Sequence, residues 1–150
     1  MNITDVIQPQ TTLLDLTANS KTDLIRALAQ VAARSVAVPE KVIQDALAAR
    51  EALGSTGIGQ GIALPHANLR GLAKPFTLAA RLKAPVDFDS IDGLPVDIVV
   101  LLLIPDRAGE RHVDRLACVA KQLRSQPVQV RIRQARNQEQ LYAAFIWEGT

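Results

Sequence analysis

Apolar and polar residues fall into blocks along this chain, and the spacing inside each block predicts an element. TTLLDL (11–16) has the length and composition of a short strand. From 21 to about 34, Leu24, Ile25, Leu28, Val31 and Ala32 recur on one face of a helix, with Ser20 placed to cap it. Pro39 suits the first residue of a second helix that runs to about 50–53 and is stopped by Gly54. Residues 61–64 fit a short strand leading to Pro65. The strongest strands are 76–82 and 97–104. The second is almost continuously apolar (IVVLLLI), the pattern of a central strand covered on both faces, and Pro105 ends it. A third long helix fits 109–125, with Leu116, Val119, Ala120 and Leu123 on its apolar stripe. Shorter helices at 127–136 and 138–147 close the chain. Strands mixed with helices of this length predict a single-domain α/β sandwich, a mixed sheet flanked by helices.

Composition narrows the possibilities. A chain of 150 residues suits one domain with a real core, and no repeat, low-complexity tract or linker interrupts it. With 48% hydrophobic and 21% charged residues, disorder is excluded. Seventeen basic and fifteen acidic residues are interspersed and leave a net charge of +2, so no nucleic-acid partner is expected. Aromatics at 3% remove the stacking platform of a single-strand binder, and Arg124, Arg131, Arg133 and Arg136 read as a solvated helix face. A single cysteine excludes an internal disulfide and a cysteine-based zinc site. That residue, Cys118, sits beside the third helix's stripe and reads as a small core residue. The opening MNITDVIQPQ has neither the basic nor the apolar segment of a signal peptide, and 98–104 is too short to cross a bilayer. No membrane insertion and a cytoplasmic setting are expected.

The chemistry concentrates in GSTGIGQGIALPHA (54–67). It is not a P-loop, which ends in Gly-Lys-Ser/Thr where this chain has Gly59-Gln60-Gly61, nor a dinucleotide fingerprint, since it follows a helix rather than a strand. No nucleotide cofactor is expected. Gly57, Gly59 and Gly61 would let backbone N–H groups converge on an anion, aided by the Ser55 and Thr56 hydroxyls. They would equally suit a tight loop that lets helix and strand pack closely, and both readings stand. His66, on a loop beside the rigid Pro65, is a candidate nucleophile: much of an imidazole is neutral near pH 7. Imidazole attack on phosphorus gives a phosphoramidate that can pass the group onward. The other histidine, His112, falls near the start of the third helix, where a partial positive charge favours an anion. Two histidines without a matching carboxylate pattern predict no metal site. DFDSIDG (87–93) fails as a calcium loop at Ile91 and Ile98 and reads as a turn between the two strong strands.

AREALGSTGIGQGIALPHA, with FDSIDGLPVDIVVLLLIP and HVDRLACVAKQL, resembles the IIA proteins of the bacterial phosphotransferase system, fructose–mannitol type, and within them the nitrogen-regulatory IIA form. The resemblance runs from about Ala27 to Tyr142, and it implies that the whole chain is one such domain of about five strands. It implies phosphorylation of His66 on Nε2, with Arg50 holding the phosphoryl oxygens and His112 assisting. It implies no cofactor, a phosphorylated HPr-like phosphocarrier as donor, and regulatory targets such as a sensor kinase or a potassium transport component. Leu64 stands where isoleucine is common, and Asp114 where some relatives have a histidine. A stand-alone chain favours the regulatory role over a transport component that passes phosphate to a IIB domain. A binding module with an incidental histidine is the rival of a different class.

Overall fold

The computed structural model describes residues 1–107 and 113–149, and among them lie six strands and five α-helices. After two short 3-10 turns come β1 (Thr12–Leu16), α1 (Lys21–Ala33) and α2 (Glu40–Ala52). Then follow β2 (Gly57–Gly59), β3 (Ile62–Ala63), β4 (His66–Leu69), β5 (Phe76–Val86) and β6 (Val96–Pro105). Helices α3 (Val113–Leu123), α4 (Gln126–Gln134) and α5 (Gln138–Phe145) complete the chain. The sheet is mixed, in the order β1-β5-β6-β3-β2, with β4 also paired to β6.

The apolar run of β6 explains the layers. Val99, Leu101 and Leu103 enter one core with Leu24, Leu28, Ile43 and Leu47 of α1 and α2. Ile98, Val100 and Leu102 enter the other, with Val119, Leu123, Ile132, Leu141 and Phe145 of α3–α5. A stretch whose successive side chains feed two cores, here residues 98–103, has no polar position to spare. Local signals set the helix ends. The Ser20 hydroxyl accepts from the Asp23 N–H at 3.1 Å, and the Asn137 side chain accepts from the Gln140 N–H at 2.8 Å. Arg81 closes the end of α4 by donating to the carbonyls of Ile132 (3.0 Å) and Ala135 (2.6 Å).

Three expectations change. The sheet has six strands rather than about five, because Gly57–Gly59 pairs with β3 and His66–Leu69 pairs with Leu102–Pro105 of β6. His66 is therefore the first residue of a strand, not a loop residue. HANL carries little strand propensity of its own, and its conformation comes from the ladder along β6. Strand β5 continues past Leu82 to Val86, with a register shift after Arg81.

Candidate functional site

β3 and β4 follow one edge of β6 in the same direction, from Ile62 opposite Ile98 to Leu69 opposite Pro105, interrupted at Leu64 and Pro65. Pro65 supplies a carbonyl to the Leu102 N–H at 3.0 Å, which docks the start of β4. His66 lies opposite Leu102, on the face of the α3–α5 core, while Ala67 enters the α1–α2 core. The imidazole is half-buried, with Nδ1 2.9 Å from the Leu64 carbonyl oxygen. A carbonyl only accepts, so Nδ1 carries the hydrogen in this contact. The neutral ring then keeps its lone pair on Nε2.

The glycine segment forms a hairpin beside this strand. Thr56 and Leu64 meet at one end, where the Leu64 N–H donates to the Thr56 carbonyl at 3.0 Å. The turn at the other end is Gln60-Gly61, with φ of 59° and 79°, both positive as in a type I′ hairpin turn. The structure thus brings Ser55 and Thr56 beside the approach to His66. It carries Gly59 and Gly61 to the far end, about 16 Å along an extended chain from Gly61 to His66.

The loop's polar groups are already engaged. The Ser55 hydroxyl donates to the Phe88 carbonyl (2.6 Å) and accepts from the Gly57 N–H (3.0 Å). The Thr56 N–H donates to Glu51 Oε1 at 3.0 Å, and its hydroxyl donates to Oε2. The glycines serve close approach. A Cβ on Gly57 would lie 2.3 Å from Ser90 Oγ, and one on Gly59 3.0 Å from Asp92 Oδ2. One on Gly61 would lie 2.6 Å from Arg133 Nη2 and 2.8 Å from Asp97 Oδ1. These contacts are those expected of tight packing at the glycines.

Arg50 is half-buried at the end of α2, the helix packed against β4. Its Nη1 donates to the Gly54 carbonyl at 2.9 Å, and its other N–H groups have no partner among the described residues. His112 lies outside the described residues. Cys118 is packed at the edge of the α3–α5 core, and burial pushes its thiol pKa up, which makes it a poor nucleophile.

Sequence reasoning missed Glu51. It shares the buried stripe of α2 with Ile43 and Leu47. That spacing was the available signal, since an acid in line with core residues asks for a partner. Lys21 is that partner, with Nζ 3.1 Å from Glu51 Oε1, 3.7 Å from Asp89 Oδ2 and 4.6 Å from the Phe88 ring centre. DFDSIDG is the turn expected between β5 and β6, and it also clamps the hairpin through the Phe88 carbonyl, the Ile91 N–H and the Asp92 carboxylate. The Asp92 carboxylate accepts from the Gln60 N–H at 2.8 Å and from the Leu94 N–H at 3.1 Å. These bonds, that from Gln60 first, hold the carboxyl below the usual carboxylate range.

The described residues form an α/β domain with an imidazole oriented through Nδ1, its Nε2 without a partner among them, on a strand packed against the arginine-tipped helix α2. The chain belongs to the phosphoenolpyruvate-dependent sugar phosphotransferase system EIIA 2 family, whose model matches residues 5–146. It is 42% identical over 145 residues to the nitrogen regulatory protein of Bradyrhizobium diazoefficiens, covering 97% of this chain and 95% of that one. To the nitrogen regulatory protein of Pseudomonas aeruginosa it is 39% identical over 149 residues, with 97% and 96% covered. The crystal structure of nitrogen regulatory protein IIA-Ntr from Neisseria meningitidis superposes with a TM-score of 0.87 at 29% identity, covering 95% of this chain and 98% of that one. Among the described residues no helix is long and apolar enough to cross a membrane.

Proposed function

We propose that this chain is a regulatory phosphocarrier that accepts a phosphoryl group on His66 Nε2 from a phosphorylated HPr-like protein. Family membership supports phosphotransfer between proteins, and the names of its relatives support the nitrogen-regulatory branch. The observation that carries the residue assignment is the 2.9 Å contact between Nδ1 and the Leu64 carbonyl, which leaves the lone pair on Nε2. In the transfer, that lone pair forms the N–P bond as the donor's bond to phosphorus breaks and its electron pair returns to the donor. The proton stays on Nδ1, so the ring gains positive charge, which the Leu64 carbonyl stabilises by hydrogen bonding. Reversing the electron flow at Nε2 releases the group to the next acceptor.

Arg50 is proposed to hold the phosphoryl oxygens, using a planar fork suited to two of them. His112 is proposed to assist by hydrogen bonding. Ser55, Thr56, Gly57, Gly59 and Gly61 are proposed to form the phosphate loop, and a phosphoryl contact from Ser55, Thr56 or the Gly57 N–H requires exchange of the bonds described above. The setting in this reading is the cytoplasm, with regulatory targets such as a sensor kinase or a potassium transport component.

Incubation with a phosphorylated HPr-like carrier, followed by intact-mass measurement, tests this. The expected result is the gain of one phosphoryl by the wild type and none by His66→Ala. The label should be lost in acid and kept in alkali, as for an N–P bond to imidazole. An acid-stable label would move the site to Ser55 or Thr56. Arg50→Lys should recover only part of the rate lost in Arg50→Ala, because an ammonium acts as a point charge. His112→Ala should still be phosphorylated on His66, with single-turnover transfer slowed about ten- to a hundredfold, roughly 1.4 to 2.7 kcal/mol.

A further inference from the structure

Glu51 is a buried carboxylate to which phosphotransfer as described assigns no part. Its side chain is 5% exposed, and a charge so placed is tolerated only with close partners. Three groups supply them: Lys21 Nζ, the Thr56 N–H and the Thr56 hydroxyl. Both carboxylate oxygens thus grip one residue, Thr56.

From Thr56 the bonds lead to the imidazole. The peptide after Thr56 is held from two directions, since the Gly57 N–H donates to Ser55 Oγ and the Thr56 carbonyl accepts from the Leu64 N–H. Leu64 is buried and precedes Pro65, which confines its backbone to the extended region. Where the Leu64 N–H points therefore largely decides where its carbonyl points, and that carbonyl meets Nδ1 of His66. Peptide planarity makes each link stiff. The arrangement has an electronic consequence. An unconstrained neutral histidine favours the hydrogen on Nε2, the tautomer that cannot attack through Nε2. Holding the other tautomer requires a fixed acceptor at Nδ1, and the chain of bonds from Glu51 fixes it.

We propose that Glu51, held by Lys21, is a positioning residue for His66, acting through Thr56 and Leu64 to keep the hydrogen on Nδ1 and the lone pair on Nε2. The consequence for transfer rests on His66 being the phosphoacceptor, but the tautomer is a property of the resting protein and is measurable without any donor.

The test uses the full chain with nitrogen-15-labelled histidine and long-range proton–nitrogen NMR, at a pH well above the ordinary imidazole range. His66→Ala identifies the His66 signals. The wild type should show His66 protonated on Nδ1. Glu51→Ala should shift the population so that the Nε2–H form becomes the larger. Glu51→Gln, whose amide can still meet Thr56 but not the Lys21 charge, should fall between, as should Thr56→Val. Asp97→Ala, which loosens the turn end of the same hairpin, should leave the tautomer as in wild type. In single-turnover phosphorylation the Glu51 variants should lose rate several-fold at saturating donor with unchanged KM for the donor.

A folded Glu51→Ala protein with the wild-type tautomer would overturn the proposal. If that variant does not fold, Glu51→Gln and Thr56→Val decide by the same signal, and wild-type spectra in both would overturn it equally. A tautomer shift of the same size in Asp97→Ala would reduce Glu51 to general structural support. Should the wild type take up no phosphoryl group at all, the carrier assignment fails while the tautomer result stands on its own.

Discussion

The hairpin ahead of His66 is gripped by carboxylates at both ends, and the two grips differ in their exposure to water. At the His66 end, Glu51 and Lys21 have side chains 5% and 19% exposed, and their bonds act in a medium that screens them weakly. At the turn end, Asp92 is exposed and bonds two backbone N–H groups. There Asp97 pairs with Arg133 at 2.9 Å, their side chains 25% and 35% exposed. Arg133 also donates to the Gln60 carbonyl at 2.7 Å. Water competes for every bond of the second grip. The buried end is therefore where a lost bond should be felt both in stability and in the orientation of the imidazole. The exposed end should be felt in stability alone, and less.

The largest effect is expected from breaking the buried grip outright. Glu51→Ala leaves the Thr56 N–H and hydroxyl without their acceptor and Lys21 without its nearer partner. Removing one member of a buried pair costs about 3 kcal/mol at the low end of what such pairs show. The low end applies because Asp89, 3.7 Å from Lys21, remains to receive the charge. Urea denaturation should show the loss as a lower midpoint at unchanged slope. Adding Lys21→Met should restore part of it, since the orphaned charge is then gone. A double variant no more stable than the single one would show that Asp89 alone suffices for Lys21.

The same contrast explains what could be read from the sequence. The continuous run of β6 was legible because alternate residues had to feed two cores. The ends of α1 and α2 were legible because Ser20, Pro39 and Gly54 act locally. His66 was legible as the reactive candidate, since glycines and proline surround it within a dozen residues. Its strand was not, because HANL pairs with residues 102–105, and that pairing is tertiary. The work of the glycines was equally hidden. Ser90, Asp92, Asp97 and Arg133, which fill the space their missing side chains leave, come from 33 to 72 residues away in the chain. Glu51 was within reach, eight residues after Ile43 on one helix stripe. Its bond to Thr56 is local, whereas its effect on Leu64 appears only once the hairpin is closed.

A smaller effect is expected at the turn. Gly61→Ala forces an L-residue to φ +79°, a left-handed conformation costing roughly 1–2 kcal/mol. The new methyl group also meets Arg133 Nη2 and Asp97 Oδ1, but both are the ends of flexible side chains and can move. The midpoint in urea should fall by less than in Glu51→Ala, and the His66 nitrogen signals should stay as in wild type. If those signals change as much as in Glu51→Ala, the two ends of the hairpin are mechanically equivalent and their difference in burial has no consequence for the site.

The smallest effect belongs to Asp92, and pH reveals it better than stability at neutrality. Its pKa lies below the ordinary carboxylate value because the Gln60 N–H, then the Leu94 N–H, bond the charged form in the folded protein. A group whose folded pKa is depressed contributes stability above its unfolded pKa, which is about 4 for an aspartate. That contribution declines as pH falls below this value and is gone once pH has passed the depressed folded one. Asp92→Asn keeps an acceptor for one N–H and has nothing to titrate. At neutral pH it should be slightly less stable than wild type, and below pH of about 4 the two stability curves should converge. Denaturation midpoints of the two proteins, followed from neutrality into acid, measure the difference directly. A constant offset across that range would mean that Asp92 supports the turn by shape rather than by charge. The exposed grip would then rest on one charged contact, Asp97 with Arg133, in place of two.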